Sequence, residues 1–177
     1  NSLSPHLKVL DTSSPSFVSV LLSPPDLLPS VHTAVYLPTA GRDGEWLACL
    51  VELEHHLTDI MEEHSGNIAV FIRGDLNASS KNISRSKLLS AFVSRMDLTK
   101  LILPHLSYHH FTGGGKSDSD LDVLLYGGCT GVSESLVDIV CELQHPLMFS
   151  HHDLIISTCS IPTQQHQASD SEHNISA

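Results

Sequence analysis

Apolar and polar residues follow one another along this chain in short runs that predict strands. Runs rich in β-branched residues predict strands at Phe17–Leu22 and Val31–Tyr36, which end before Pro24 and Pro38. Between Ile68 and Ile72 five apolar residues follow one another, so both faces of this strand are apolar. Such a run is typical of a central strand in a sheet that is covered on both sides.

Two other segments have apolar residues at three- and four-residue steps, which predicts helices. The first begins at Asp43 or Gly44, continues to about His64 and ends before Gly66, a helix-stop residue. Its apolar stripe consists of Trp46, Leu47, Leu50, Leu53, Leu57, Ile60 and Met61. The second helix runs from Ser86 to about Met96, with the stripe Leu88, Leu89, Phe92 and Val93.

The second half of the chain gives weaker signals. Residues 97–120 are rich in loop-forming residues and have Gly113-Gly114-Gly115 near their centre. Strands are predicted at Leu121–Tyr126 and Leu154–Ser157, whereas Val132–Val140 fits either a strand or a short helix. We therefore expect strands and helices to mix in a layered α/β sandwich.

The same pattern suggests one domain with a terminal segment on each side. Residues 1–16 are polar and are expected to form a tail or loop, and residues 17–160 hold the predicted elements. Residues 161–177 consist mainly of Gln, His, Ser and Asp and are expected to be a disordered tail.

Composition narrows the classes of function. The net charge of −11 argues against a broad basic surface for DNA, although a divalent metal can neutralise an acidic nuclease site locally. The cysteines lie too far apart for a Cys-x-x-Cys site, so we interpret them as reduced thiols of an intracellular protein: Cys49, Cys129, Cys141 and Cys159. No apolar stretch approaches the roughly 18 residues of a transmembrane helix.

Candidate chemistry lies directly after the central strand, where Gly74 is followed by Asp75 and Asn77. The carboxyl ends of such strands are where α/β folds tend to bind ligands. A carboxylate there can accept a proton from water, and an amide can donate to a phosphate oxygen. Gly, Asp and Asn are also common in turns, so a purely structural turn is the alternative.

Three further segments occur in order with Gly74-Asp75-Leu76-Asn77. They are Tyr36-Leu37-Pro38, Ser119-Asp120-Leu121-Asp122 and Ser150-His151-His152. Together the four resemble the endonuclease/exonuclease/phosphatase superfamily, which has the DNase I-like four-layer α/β/β/α sandwich. The run Tyr108–Gly113 before the Ser-x-x-Asp element is most similar to the endonuclease domains of non-LTR retrotransposons.

The resemblance implies a role for each candidate residue. Asp75 would bind a metal and position or deprotonate the attacking water. Tyr36 and Asn77 would hold the substrate phosphate. Asp122 would orient His152, which would stabilise charge on the phosphate oxygens, as a carboxylate beside an imidazole can. A purely structural role is the alternative for three of them: Tyr36 as an aromatic residue at the end of a strand, Asp122 as the cap of a turn, and His152 as part of a surface histidine pair.

The sequence departs from the family pattern in two places. The family has an Asn on an early strand and a later metal-binding Glu, and we identify neither before Phe17. We therefore expect the domain to be incomplete at the N-terminus, with about its first third missing. In the last motif His151 stands where the family has an acidic residue, so His151 is a weak metal candidate that suits Zn²⁺ better than Mg²⁺.

These observations predict a Mg²⁺- or Mn²⁺-dependent endonuclease domain of retroelement type, with DNA as its ancestral substrate. We expect little or no activity from this chain alone, no membrane association, and an intracellular location with the nucleus as a candidate. Two alternatives stay open: a non-catalytic remnant that acts as a binding or scaffold domain, and a phosphatase with the same fold.

Overall fold

The computed structural model describes residues 6–10, 14–103, 108–112, 115–140 and 154–163 of the 177-residue chain. In chain order the described elements are β1 (Leu7–Leu10), β2 (Phe17–Leu22), β3 (Ser30–Tyr36), α1 (Asp43–Glu63), β4 (Ala69–Asp75), α2 (Ile83–Arg95), β5 (Leu98–Lys100), β6 (Tyr108–Thr112), β7 (Gly115–Ser119), β8 (Asp122–Gly127), β9 (Ser133–Val140) and β10 (Leu154–Ser160). Within this part of the chain, neither helix is long and apolar enough to cross a membrane.

A six-stranded sheet with the order β1-β2-β3-β4-β8-β5 forms the centre of the molecule. Only β3 and β4 pair in parallel, because α1 carries the chain back across the sheet between them. The other neighbours are antiparallel. This topology brings the C-terminal ends of β3 and β4 and the start of β8 to the same end of the sheet.

Both helices pack against one face of this sheet. Their stripes and the facing strand residues form one cluster of buried apolar side chains, which includes Trp46, Leu50, Leu53, Leu57, Leu89, Phe92, Val31, Val35, Val70, Ile72, Val123 and Leu125. Full burial of each large apolar side chain contributes about 1.5–3 kcal/mol. The cluster therefore holds the helices, and the loops that lead into them, rigidly against the sheet.

The antiparallel pair β9–β10 lies against the opposite face. Arg73 of β4 reaches it from that face, with Nε donating to Glu134 Oε1 at 2.8 Å and Nη2 donating to Cys159 Sγ at 2.6 Å. The helices, the central sheet and the β9–β10 sheet thus form three layers, and β6–β7 is a separate two-stranded sheet. This arrangement confirms the predicted α/β sandwich class.

Most predicted elements agree with the structure to within a few residues. The segment Val132–Val140, for which the sequence left two alternatives, contains strand β9. Helix α2 begins at Ile83 rather than Ser86, because the Asn82 side chain accepts a hydrogen bond from the Arg85 N–H at 3.2 Å and caps the helix earlier.

Two segments differ from the expectation. Leu7–Leu10, in the segment expected to be a tail or loop, forms strand β1 and pairs with β2. Residues 97–120, expected to be loop-rich, contain the edge strand β5 and the β6–β7 hairpin. Of the predicted C-terminal tail, only residues 161–163 are described, and Thr163 makes an isolated bridge to Leu27; residues 164–177 lie outside the described residues.

Candidate active site

A row of three candidate residues crosses one end of the central sheet, on three neighbouring strands: Tyr36, Asp75 and Asp122. Tyr36 is the parallel partner of Asp75, and Asp122 is the antiparallel partner of the same residue. Directly paired residues project from the same face of a sheet, about 5 Å apart at Cβ. Three candidates from separate parts of the sequence are therefore neighbours, on the face opposite the helices.

The three side chains differ in exposure. Asp75 is 8 % exposed, Asp122 is partly buried, and Tyr36 is 60 % exposed at the end of the row. A buried carboxylate beside an accessible phenol is a suitable arrangement for holding a polar ligand whose reacting centre lies near the carboxylate. The arrangement also leaves the Tyr36 hydroxyl accessible to a ligand in solution.

Gly74 permits this close packing because no side chain fits at its position. A Cβ atom there would lie 2.0 Å from the Val35 carbonyl oxygen of the neighbouring strand. Its φ of +139° is also a conformation that other residues rarely adopt. Glycine at this point lets β3 and β4 stay paired as far as Tyr36 and Asp75.

Asn77 is held by three polar contacts. Its backbone N–H donates to Asp75 Oδ1 at 2.8 Å, and its Nδ2 donates to the Leu37 carbonyl oxygen at 2.8 Å. Its own carbonyl oxygen accepts from Arg85 Nη1 at 3.1 Å. One amide N–H is thus already used within the site, and an amide NH₂ carries a second.

The loop after β4 is also tied to the entrance of β8. Asp120 accepts hydrogen bonds from the Ser80 N–H at 3.0 Å and from its hydroxyl at 3.2 Å. The Leu76 N–H donates to the Leu121 carbonyl oxygen at 3.2 Å. These contacts place the Ser-x-x-Asp segment beside Gly74-Asp75-Leu76-Asn77, as a shared site requires.

The two histidine candidates, His151 and His152, lie outside the described residues. Strand β10 begins at Leu154, shortly after them, and belongs to the sheet that covers the Arg73 side of the molecule. Their roles stay predictions.

Whether a metal ion fits this site depends on the ligand atoms that its side chains provide. Carboxylate oxygens such as those of Asp75 and Asp122 have the chemistry that Mg²⁺ prefers. Among the described residues, however, no group of three or more His, Cys, Asp or Glu side chains could hold a metal ion. The described part of the site therefore offers suitable donors but not a full ligand set.

Arg85 is a site residue that the sequence pattern did not reveal. It is 2 % exposed and contacts the loops after both β3 and β4. The available signal was its position four residues before Leu89 and seven before Phe92, on the apolar stripe of α2. A charged residue on an apolar stripe is rarely buried unless it is paired.

A second polar cluster lies between the two sheets, next to the row. His32 Nδ1 lies 3.1 Å from Arg73 Nη1, its Nε2 lies 3.0 Å from Ser30 Oγ, and its ring stacks on Phe71. Burial lowers the pKa of His32 to about 4, the Arg73 guanidinium lowers it as well, and Glu134 acts in the opposite direction. At neutral pH His32 is therefore uncharged.

Comparison with solved structures places this geometry in a known fold. The chain is similar to the endonuclease domain of TRAS1, a telomere-specific non-LTR retrotransposon, with a TM-score of 0.58, 14% identity and coverage of 91% of this chain and 70% of that one. It is also similar to the human Nocturnin catalytic domain with bound sulfate anion, with a TM-score of 0.51, 12% identity and coverage of 89% and 61%. The chain has the DNase I-like fold.

Other comparisons add little to this DNase I-like assignment. The inositol polyphosphate 5-phosphatase domain of SPsynaptojanin, in complex with inositol (1,4)-bisphosphate and calcium ion, matches with a TM-score of 0.48, 13% identity and coverage of 92% and 57%. No protein-family profile and no curated protein sequence matches the chain. At these identities the likeness establishes the fold, and the DNase I-like chain's chemistry has to be argued from its own residues.

Proposed function

We propose that this chain carries the phosphate-handling part of a Mg²⁺-dependent phosphodiester hydrolase of retroelement type, with DNA as its substrate. The observation that carries the proposal is the row Tyr36–Asp75–Asp122, in which three separated motifs become neighbours on one face of the sheet. The structural likeness to the TRAS1 endonuclease domain supports the same class of reaction.

In this proposal Asp75 is the proton acceptor. Its Oδ1 accepts the Asn77 N–H at 2.8 Å, which fixes the orientation of the carboxylate. A water beside Asp75 would attack phosphorus, its proton would pass to the carboxylate, and the bond from phosphorus to the leaving sugar oxygen would break. At 8 % exposure, Asp75 has little contact with bulk solvent.

Tyr36 and Asn77 would hold the phosphate in this reaction. The exposed Tyr36 hydroxyl can donate to one phosphate oxygen, and the second Nδ2 hydrogen of Asn77 can donate to another. Donors that are fixed before the substrate arrives stabilise the charge that develops on these oxygens. Asp122 and His152 would add to this stabilisation, with the carboxylate favouring the charged imidazole.

When bound, Mg²⁺ would share the negative charge of the transition state. Asp75 would be its ligand from this chain, and His151 is a weaker candidate from the sequence. Residues 1–16 contain no Glu, so the upstream Glu that the resemblance implies has no counterpart there. We therefore expect the 177-residue chain alone to cleave DNA slowly or not at all.

A two-stage experiment tests the proposal. Nicking of supercoiled plasmid is measured with Mg²⁺ and with Mn²⁺, and binding of a short oligonucleotide is measured by anisotropy with and without the metal. The variants are Asp75→Asn and Asp122→Asn, and the matched control is Asp59→Asn, which removes one negative charge from the exposed side of α1. Metal-dependent nicking or binding that is lost only in the first two variants supports the proposal.

A non-catalytic domain is the second candidate, and the net charge of −11 favours it because nucleic acid is repelled by an acidic surface. It predicts no nicking, no metal-dependent oligonucleotide binding, and no calorimetric binding of Mg²⁺ at millimolar concentrations. That set of results would replace the hydrolase proposal with a binding or scaffold role.

A further inference from the structure

Arg85 occupies the centre of the two loops that follow β3 and β4. Its guanidinium is almost completely buried, at 2 % exposure, although it lies in the first turn of α2. Burying such a charge is costly unless each of its donors is satisfied. The partners that Arg85 uses therefore show what the chain gains by placing it there.

Those partners come from both loops. Arg85 Nη1 donates to the Pro38 carbonyl oxygen at 2.8 Å and to the Asn77 carbonyl oxygen at 3.1 Å. Nη2 donates to the Thr39 carbonyl oxygen at 2.9 Å, and Nε donates to Asp43 Oδ1 at 2.7 Å. A guanidinium has five N–H groups in a fixed planar fork, so one side chain joins the two loops at a defined spacing.

Trp46 closes this arrangement from the helix side. The Arg85 guanidinium carbon lies 5.2 Å from the centre of the Trp46 ring, within the range of a cation–π contact. The Trp46 Nε1 donates to the Leu76 carbonyl oxygen at 2.7 Å. The backbone of Leu76 and Asn77 is thus held at two consecutive carbonyl groups, one by Trp46 and the other by Arg85.

Asn77 has a backbone conformation that neighbouring contacts help to fix. Its φ is +49°, a left-handed conformation that costs most non-glycine residues on the order of 1 kcal/mol and that Asn adopts more readily than most. In this conformation the Asn77 N–H donates to Asp75 Oδ1 and its Nδ2 donates to the Leu37 carbonyl oxygen. Relaxation of Asn77 would therefore also release the contact that orients the Asp75 carboxylate.

We propose that Arg85 is a positioning residue: it fixes Asn77, and through Asn77 the Asp75 carboxylate, at a set distance from the Tyr36–Pro38 segment. This inference rests on the proposed function for its purpose, but its geometry can be tested without any activity. A lysine cannot replace Arg85, since an ammonium has three donors and no planar fork.

The test uses Arg85→Lys and Arg85→Met, with Arg95→Lys and Arg95→Met as matched controls from the same helix. Arg95 is 55% exposed and pairs with Glu54, away from the two loops. Two groups of NMR signals are followed: the backbone and side-chain amides of Asn77, and the indole N–H of Trp46, which is the single tryptophan of the chain. We expect both Arg85 variants to shift the indole signal. They should also change the backbone coupling constants that report the positive φ of Asn77, while the Arg95 controls leave the indole signal and these coupling constants unchanged.

Asp43→Asn provides a milder variant in case an Arg85 variant does not fold, because the Asp43 side chain is 75% exposed and only one charge is lost. It should shift the Asn77 and Trp46 signals by a smaller amount. A purely structural Arg85 would lower the melting temperature and leave the Asn77 conformation intact, and that result would overturn the proposal. If Asn77 moves as expected but the wild-type chain binds no oligonucleotide with or without Mg²⁺, the positioning role stands and the hydrolase function fails.

Discussion

Arg73 of β4 and Glu134 of β9 form an ion pair across the two sheets, with 2.8 Å between Nε and Oε1. The Glu134 side chain is fully buried, while that of Arg73 is 32% exposed. Ser157 Oγ donates to the same Oε1 at 2.5 Å. The pair therefore connects the second sheet to the strand that ends in Asp75.

Loss of one partner of this pair should be costly. Arg73→Met leaves the Glu134 carboxylate buried with its hydrogen bond from Ser157 but without its ion-pair partner, and breaking such a pair typically destabilises a protein by about 3–5 kcal/mol. We expect a loss of this order in the free energy of unfolding, measured with urea. The double variant Arg73→Met/Glu134→Leu should regain most of it, because no buried charge is left.

Arg95 and Glu54 supply the control for this prediction. Their ion pair joins α1 and α2 at the surface, where Arg95 is 55% exposed. Exposed pairs contribute about 0–1 kcal/mol, so Arg95→Met should change stability by no more than that. Equal losses for Arg73→Met and Arg95→Met would show that the inter-sheet pair has no special role.

His32 should make the stability depend on pH below neutrality. Its pKa is lowered to about 4, so between pH 6.5 and 4 the unfolded state binds a proton that the folded state does not. Stability from this residue is complete above pH 6.5 and is lost as the pH falls toward 4. At 1.36 kcal/mol per pKa unit the shift corresponds to about 3.4 kcal/mol, and solvent screening of the partly exposed ring makes the expected loss smaller.

The measurement for His32 is urea unfolding at several pH values for the wild type and for His32→Asn. Carboxylates also titrate near pH 4, so the informative quantity is the difference between the two proteins. We expect this difference to change steadily between pH 6.5 and 4, because burial and the Arg73 guanidinium disfavour the protonated imidazole in the folded state. Parallel curves for both proteins would contradict the prediction.

Periodicity predicted the elements whose apolar faces are buried, because burial imposes the pattern. Helix α1 and strand β4 show this most clearly: five residues of α1 are buried, at Trp46, Leu50, Leu53, Leu57 and Ile60. Strand β1 was missed because Leu7–Leu10 is a short edge strand whose residues are largely exposed, so its pattern carries no burial signal. The β6–β7 hairpin was not predicted because Tyr108–Thr112 and Gly115–Ser119 show no regular alternation of apolar and polar residues.

The site was only partly predictable for a different reason. The motifs of Tyr36, Asp75 and Asp122 can be read from sequence, but their common row depends on the pairing register of three strands. Arg85 acts through backbone carbonyl oxygens of Pro38, Thr39 and Asn77, which every residue type possesses. Contacts to such groups leave no trace in the sequence of the partner.

Gly74 should tolerate no side chain. In Gly74→Ala the new Cβ would lie 2.0 Å from the Val35 carbonyl oxygen, so β3 and β4 would have to separate next to Asp75. We expect a loss of about 3 kcal/mol or more, within the range of overpacking and strain at a special φ. Gly44→Ala, in the first turn of α1 with nothing within 4 Å of its Cβ, should instead leave stability unchanged or raise it slightly.

The apolar surface formed by Leu7, Val9 and Val18 should cause self-association. These side chains are 47%, 61% and 47% exposed and lie on β1 and β2, on the face opposite the helices. Contiguous exposed apolar residues on an edge strand favour intermolecular pairing. Sedimentation should show concentration-dependent association that decreases in Val9→Thr/Val18→Thr, while Ile102→Thr, at a residue outside β1 and β2 that is 85% exposed, should not change it.

Mg²⁺ should stabilise the folded chain through Asp75 if the hydrolase proposal is right. A ligand that binds only the folded state adds RT ln(1 + [L]/Kd) to its stability, so even a weak site raises the melting temperature at millimolar Mg²⁺. Asp75→Asn replaces a carboxylate ligand and relieves like charge beside Asp122, its direct cross-strand partner. We therefore expect its melting temperature to be insensitive to Mg²⁺, whereas Asp59→Asn should respond as the wild type does. A wild-type melting temperature that Mg²⁺ does not change would remove the metal from the proposed mechanism.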